Sequence, residues 1–194
     1  MKDMRVRLIA EIGLAVALSV ALNALFTMLI PLRMPFGGTF SLNMLPIVLL
    51  ALVRGPAVGI TTGVLVGFTD LIFNPFVISL PQMLLDYPIA YGLVGLAGFF
   101  VLRPEKEGVK PTLAKMMTFA AIGAVVGAFA RLLAHVLSGV IFFAQYAPET
   151  QNAWVYSVIY NSTFMGPNMI ALAVCAVIAF PVVRGVLVSS QQTT

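Results

Sequence analysis

The chain has 194 residues, 60% of them hydrophobic and 9% charged, and its formal net charge is +4. Soluble domains carry about 25% charged residues, so this composition excludes a soluble protein and predicts an all-α integral membrane protein. Because a membrane helix needs roughly 20 apolar residues, there is room for about six spans and for no soluble domain. We expect one membrane domain over residues 1–194, with 1–7 as a cytoplasmic N-terminus and 185–194 as a polar C-terminal tail.

The first predicted span, 8–30, carries small residues along one stripe. Gly13, Ala17 and Ala21 recur every four residues, a spacing that lets another helix approach closely. The pattern fits ordinary packing within the chain as well as contact with a partner protein, and by itself it leaves both interpretations open.

The next two spans differ in length. The second, 42–53, follows a loop rich in proline and glycine, and it is too short to cross a bilayer unless it is tilted or extended upstream. The third, 56–73, is lined by glycines in four-residue register, which predict a close helix contact. These glycines are Gly55, Gly59, Gly63 and Gly67. Asp70, near the far end of this span, is either a pocket residue or a helix-end group.

The fourth span, 80–102, is interrupted by Pro88, which cannot donate a hydrogen bond to the carbonyl of Leu84. Free backbone acceptors at membrane depth are tolerated only where they are buried in protein or line a cavity. Asp86 and Tyr87 stand directly beside the break. The sequence therefore predicts a binding site at this point of the fourth span.

The fifth and sixth spans, 116–143 and 156–183, bracket a second polar cluster. Arg131, His135 and Ser138 fall on one helical stripe of the fifth span. Polar groups at membrane depth are costly and mark a functional site by default. This cluster and the break in the fourth span are expected to form one pocket.

The chemistry of these residues suits binding better than catalysis. A lone His135 is a poor metal site, and no nucleophile turn flanks Ser138, so we expect neither a metal nor an enzyme. Arg131 is expected to be neutralised by Asp70 or Asp86. Aromatic rings combined with a carboxylate favour a flat, polar ring compound that is cationic or neutral.

The positive-inside rule orients the chain in the bilayer. Under six spans the basic residues of the loops and termini fall on one side, with Arg33 alone on the other, which places both termini in the cytoplasm. The residues on the first side are Lys2, Arg5, Arg7, Arg54, Arg103, Lys106, Lys110, Lys115 and Arg184. Asp86, His135 and Asn161 then lie toward the outer half, and the pocket opens outward. Because these charges lie between apolar runs, they give no indication of nucleic-acid binding.

Four blocks of the sequence resemble the thiamine-specific substrate-binding subunit (S component) of energy-coupling factor (ECF) transporters. The blocks are GGTFSLNMLPIVLLALVRGP, QMLLDYPIAYGLVGLAG, RLLAHVLSGVIFFAQYAPE and YSVIYNSTFMGP. The resemblance extends over nearly the whole chain, and the elements LDYP, H-x-x-S-G and Y-x-x-x-x-N follow one another in the order of the family.

The resemblance implies a set of substrate-binding residues. In the family, the acidic residue and tyrosine of LDYP, the histidine, a later tyrosine and the asparagine contact the vitamin, and an aromatic residue eight positions past the histidine stacks on it. The matching residues here are Asp86, Tyr87, His135, Tyr156, Asn161 and Phe143. Gly139, Tyr146 and, in the first outer loop, Phe36 complete the candidate set.

The resemblance also implies a mechanism and partners. The chain would capture thiamine with high affinity outside a prokaryotic cell, as a multi-pass subunit of the cell membrane with no cofactor of its own. It would dock on an ECF coupling subunit driven by two ATPase subunits, as part of an ABC-type importer, and topple in the membrane to release the vitamin. The stripe of Gly13, Ala17 and Ala21 would then be the coupling interface.

Other functions remain open at this stage. Phe143 stands where the family commonly has tryptophan, and the tryptophan often found in the first outer loop is absent. The ligand could therefore be a related heterocycle, such as a pyrimidine precursor of thiamine, or another vitamin. A structural membrane protein of similar fold would need no pocket, and an intramembrane enzyme would need a reactive pair.

Overall fold

The computed structural model describes residues 2–30, 34–35, 38–102 and 111–189. In these ranges the chain forms six principal helices, of which five are long and apolar enough to cross a membrane. The helices are α1 (Lys2–Leu29), α2 (Leu45–Arg54), α3 (Pro56–Phe73), α4 (Leu80–Phe100), α5 (Leu113–Phe142) and α6 (Ala153–Ser189). The predicted all-α membrane fold with a short second helix is confirmed.

The short helix α2 occupies the centre of the bundle. Its central residues Ile47, Val48 and Leu52 are fully buried, and α2 packs against α1, α3, α4, α5 and α6. It is not extended upstream as a helix, because residues 38–44 are irregular and α2 begins at Leu45. A helix shielded by its neighbours need not match the thickness of the bilayer, since those neighbours, rather than α2, face the lipid.

The glycines of α3 place it unusually close to α4. A Cβ added at Gly63 would meet the carbonyl of Tyr91, and one at Gly67 would lie 2.6 Å from the carbonyl oxygen of Tyr87 and 2.7 Å from Cα of Pro88. Only a residue without a side chain fits such an approach. The close contact predicted from the glycine register is therefore confirmed, with α4 as the partner helix.

Helix α4 changes its winding at the predicted proline. Residues Leu85–Ile89 form a π-helical turn around Pro88, and the segment Gly95–Phe100 ends the helix as a 3₁₀-helix. The backbone N–H of Ala90 donates to the carbonyl of Leu85, five residues earlier. The wide turn follows from the missing proline donor, and it puts Asp86 and Tyr87 at the irregular part of the helix.

A charged cluster joins three helices at one end of the bundle. Arg54 Nε lies 2.7 Å from Glu11 Oε2, and Arg7 Nε lies 3.0 Å from Glu11 Oε1. Arg7 also donates to the carbonyl of Leu187 at 2.9 Å. These bonds bring the first half of α1 to the ends of α2 and α6, and α6 is helical as far as Ser189, beyond the predicted span end at 183.

Candidate functional site

A polar cavity of about 320 Å³ lies at one end of the bundle, opposite the charged cluster of Arg7, Glu11 and Arg54. It is formed where α3 ends, α4 unwinds, α5 ends and α6 begins, with the 38–43 segment as a further wall. Its polar lining consists of Thr39, Asn43, Asp70, Asn74, Gln82, Asp86, Tyr87, Tyr91, Arg131, His135, Ser138, Tyr156, Ser157, Tyr160, Asn161 and Asn168. The volume lies in the range of small-molecule sites.

The carboxylate of Asp86 is held by three protein side chains. One oxygen lies 2.9 Å from His135 Nδ1, and the other accepts hydrogen bonds of 2.7 Å from both Gln82 Nε2 and Ser138 Oγ. A carboxylate has about four lone-pair positions, so three protein donors leave room for one more donor from a ligand. Asp86 is thus held in a fixed orientation while retaining capacity to bind.

The neighbours of His135 define its tautomer. Arg131 Nε, which can only donate, lies 3.2 Å from His135 Nε2. That nitrogen must therefore be the acceptor, so the ring hydrogen sits on Nδ1 and is donated to Asp86. His135 accordingly orients the Asp86 carboxylate through this hydrogen bond.

Arg131 does not form the predicted ion pair. Within the described residues its guanidinium makes no salt bridge to Asp70 or Asp86 and instead lies 3.7 Å from the ring centroid of Tyr91. The Tyr91 hydroxyl donates to Asp70 Oδ2 at 2.8 Å. The ring of Tyr91 therefore lies between Arg131 and Asp70. The guanidinium is stabilised by cation–π attraction, which is stronger where water is excluded.

Asn161 presents an acceptor to the cavity. Its NH₂ group donates to the Ser157 carbonyl at 2.9 Å, one turn earlier in α6, and to the His135 carbonyl of α5 at 3.3 Å. Within the described part of the chain, no hydrogen bond reaches its side-chain oxygen. Asn161 and Asp86 therefore offer acceptor oxygens, and a ligand bound between them must supply donors.

Gly139 lets α5 approach the Asn161 side of the site. A Cβ at this position would meet the Ser157 side chain and lie 3.3 Å from Asn161 Nδ2. This tight approach explains why the helix carries glycine where the H-x-x-S-G element ends.

We expect Gly139→Ala to destabilise the protein through this clash. Overpacking typically costs about 1–3 kcal/mol, against a gain of up to roughly 1 kcal/mol in helix propensity. The matched control is Gly185→Ala in α6, where no atom of another helix in the described ranges lies within 4 Å of the added Cβ. Thermal unfolding in detergent should give a lower midpoint for Gly139→Ala than for Gly185→Ala. Equal midpoints would show that Ser157 moves aside freely.

Aromatic rings form the remaining walls. Phe143 stacks on Phe76 with a centroid distance of 6.0 Å, and Tyr156 and Tyr160 lie side by side at 5.9 Å. All four rings line the cavity. A flat ligand between Asp86 and Asn161 would therefore meet aromatic surfaces as well as oxygens.

The predicted site residues do not all reach the cavity. Asp86, Tyr87, His135, Gly139, Phe143, Tyr156 and Asn161 line it together. The hydroxyl of Tyr87 donates to the Asn74 carbonyl and accepts from the Phe76 amide, so it also fixes the α3–α4 loop. Tyr146 lies outside the lining and packs behind Phe143 at 6.2 Å, and Phe36 lies outside the described residues.

Several lining residues were not predicted. Gln82 donates to Asp86, and Asn168 holds the 38–41 segment, accepting from the Ser41 amide and donating to the Thr39 carbonyl, both at 2.8 Å. Asn43 donates to the Tyr91 hydroxyl at 2.6 Å. Each is a polar residue within or next to an apolar run, and this pattern could have predicted a place in the pocket.

Comparisons with known proteins agree with this architecture. Residues 9–187 match the family described as Thiamine transporter protein (Thia_YuaJ). The chain is 37% identical over 176 residues to the thiamine transporter ThiT of Bacillus subtilis, covering 90% of each sequence. It is 36% identical over 123 residues to ThiT of Lacticaseibacillus paracasei, covering 61% of each.

A solved structure shares the fold. ThiT from Listeria monocytogenes superimposes with a TM-score of 0.78 at 20% identity, covering 92% of this chain and 96% of that one. Together with the apolar helices, these relatives identify a multi-pass prokaryotic membrane protein that is a transport protein and not an enzyme. The resemblance found in the sequence is confirmed: the chain belongs to the thiamine transporter protein family.

Proposed function

We propose that this chain is the thiamine-binding S component of an ECF-type ABC importer and that it captures thiamine from outside the cell. The observation that carries the proposal is the pairing of two free acceptor positions, on Asp86 and Asn161, with aromatic walls in one cavity. Thiamine offers an aminopyrimidine with an exocyclic amine and a cationic thiazolium ring. The amine can donate to oxygens, and the cation is attracted to aromatic faces.

The polar and aromatic groups of the cavity match different parts of thiamine. A carboxylate held by three donors is preorganised, so little ordering remains to oppose the hydrogen bond to the ligand amine. The thiazolium would lie against the rings of Phe143 and Tyr156, at the aromatic end of the site. Among the described lining residues, the carboxylates of Asp70 and Asp86 face a single guanidinium, that of Arg131, so the charge of the cavity favours a cation.

The outward orientation is supported by the distribution of charge. Arg7, Arg54 and Arg184 lie at the end of the bundle away from the cavity, where Arg7 and Arg184 bond to the carbonyls of Leu187 and Leu102. Basic residues mark the cytoplasmic side of a membrane protein. The cavity would therefore open to the exterior, where an importer meets its substrate.

The coupling interface is proposed on the free face of α1. Gly13, Ala17 and Ala21 are exposed, whereas Ser19 and Asn23 face the bundle. Small exposed residues allow a partner helix to approach the backbone. The partners would be the ECF coupling subunit and two ATPase subunits, which would supply ATP hydrolysis.

Isothermal titration of purified protein with thiamine tests the proposed ligand. We expect one site with a dissociation constant well below micromolar, and mass spectrometry of the purified protein should detect bound thiamine. The isolated hydroxymethylpyrimidine and hydroxyethylthiazole halves serve as comparison ligands. Tighter binding of the pyrimidine half than of thiamine would replace thiamine with its precursor as substrate, and no binding of either would overturn the proposal.

We expect Phe143→Trp to tighten thiamine binding. Tryptophan is the best cation–π partner, and the gain should be about 0.5–1 kcal/mol, a factor of roughly two to five in the dissociation constant. Titration calorimetry measures the change, and affinity for the uncharged pyrimidine half serves as a control that should stay nearly constant. Weaker thiamine binding would mean that the thiazolium does not lie on this ring.

A further inference from the structure

The pocket half of α1, residues 19–29, rests on α3 across a second cavity. This cavity also measures about 320 Å³, and its lining includes Ser19, Asn23, Thr69 and Asp70. The Ser19 hydroxyl is buried there and has no hydrogen-bond partner within the described chain. Because this cavity reduces the van der Waals contact between α1 and α3, hydrogen bonds between the two helices are important for holding residues 19–29 in place.

Asp70 makes the shorter of the two hydrogen bonds that the Asn23 side chain forms in the described chain, and the other comes from Asn43 at 3.5 Å. Asp70 Oδ1 accepts from Asn23 Nδ2 on α1 at 3.0 Å and from Asn74 Nδ2, at the end of its own helix, also at 3.0 Å. Its Oδ2 accepts from the Tyr91 hydroxyl at 2.8 Å. Asp70 therefore joins α1 to α3 and α4 while lining both cavities.

The same contacts continue to the binding carboxylate. The ring of Tyr91 lies against the Arg131 guanidinium at 3.7 Å, Arg131 Nε lies 3.2 Å from His135, and His135 lies 2.9 Å from Asp86. The links are hydrogen bonds, apart from the cation–π contact between Arg131 and Tyr91. A ligand that bonds to Asp86 thus stands at one end of a continuous network whose other end is α1.

We infer that this network makes the position of α1 depend on pocket occupancy, with Asp70 and Asn23 as positioning residues. A bound ligand would displace water from around the already oriented Asp86, which strengthens its bond to His135 and the contact of the Arg131 guanidinium with Tyr91. Tyr91 would then be held with its hydroxyl on Asp70, which retains Asn23. The inference rests on the proposed function, and it means that the docking helix of the loaded subunit differs in rigidity from that of the empty one.

Hydrogen–deuterium exchange of the full chain in detergent, with and without saturating thiamine, tests this inference. In the parent, thiamine should slow exchange in segment 80–91 of the pocket and, by at least about fivefold, in segment 19–29 of α1. Asn23→Ala should keep the slowing in 80–91 and lose it in 19–29. The shorter Asn23→Ser, which cannot reach Asp70, should behave in the same way.

Asn74→Ala is the matched control. It removes a hydrogen bond of the same length to the same oxygen, but from the residue that follows α3 rather than from α1. Slowing should persist both in 80–91, which shows that thiamine still binds, and in α1. Three results would overturn the inference. The slowing in α1 could persist in Asn23→Ala, it could be lost to the same extent in Asn74→Ala, or the parent could show no slowing in α1. Absence of any thiamine effect on 80–91 in the parent would overturn the proposed function, and the inference with it.

Discussion

Asp86→Asn is expected to weaken thiamine binding by about 1.5–3 kcal/mol, which is roughly a 10- to 150-fold rise in the dissociation constant. The substitution removes the charge from the hydrogen bond to the ligand amine, and charge-assisted bonds are about twice as strong as neutral ones. It also turns one acceptor atom into a donor. That NH₂ group would face either His135 Nδ1 or the pair Gln82 and Ser138, which all donate to the carboxylate.

His135 cannot relieve the conflict by changing its tautomer. Moving the ring hydrogen to Nε2 would set it against Arg131 Nε, which is 3.2 Å away and has no acceptor to offer. The whole Asp86 environment therefore selects an anionic acceptor. Titration calorimetry measures the loss, and a thermal unfolding curve shows whether the variant remains folded.

Glu149→Gln is the control for Asp86→Asn. Glu149 is an exposed carboxylate in the loop between α5 and α6, so its loss changes net charge by the same amount without touching the cavity. Exposed charges contribute little, and affinity should stay within about twofold of the parent. Equal binding by the parent and Asp86→Asn would show that the ligand does not bond to this carboxylate.

The fold was largely predictable because its signals are local. Apolar runs of sufficient length, broken by Pro31, Gly55 and Pro75, define the helices. Pro88 has no N–H to donate, so it disturbs α4 whatever the helix packs against. The helix ends were less accurate. Helix α6 continues to Ser189, six residues beyond the predicted end of the span. The contact of Arg7 with the carbonyl of Leu187 depends on tertiary structure, and no local sequence pattern indicates it.

The site was predictable where chemistry alone marks a residue. Asp86, His135 and Asn161 are costly groups at membrane depth, and they line one cavity. The contact of Arg131 with Tyr91 was not predictable. Helical periodicity shows on which face of α5 Arg131 lies, but it does not show which side chain of α4 packs against that face. Asn168 bonds to backbone groups of Thr39 and Ser41, a pairing that depends entirely on tertiary structure.

Ala17→Leu is expected to abolish most thiamine uptake while leaving thiamine binding to the purified subunit unchanged. Ala17 lies on the exposed face of α1 with Gly13 and Ala21, and no described atom of another helix lies within 4 Å of a Cβ built at Gly13. A leucine there meets lipid in the isolated subunit. Against a partner helix packed on small residues it would separate the two backbones, which removes the close packing that holds membrane helices together.

Uptake is measured with labelled thiamine in cells that carry the coupling subunit and both ATPases, and binding by calorimetry on the purified variant. Ala57→Leu is the control, since Ala57 is also exposed but lies on α3, and it should leave both quantities near parental values. Copurification of the coupling subunit should fall with Ala17→Leu alone. If binding and uptake decline together, the stripe supports the pocket rather than the partner. Parental uptake by Ala17→Leu would exclude this face of α1 as the coupling interface, because the added side chain cannot fit between closely packed helices.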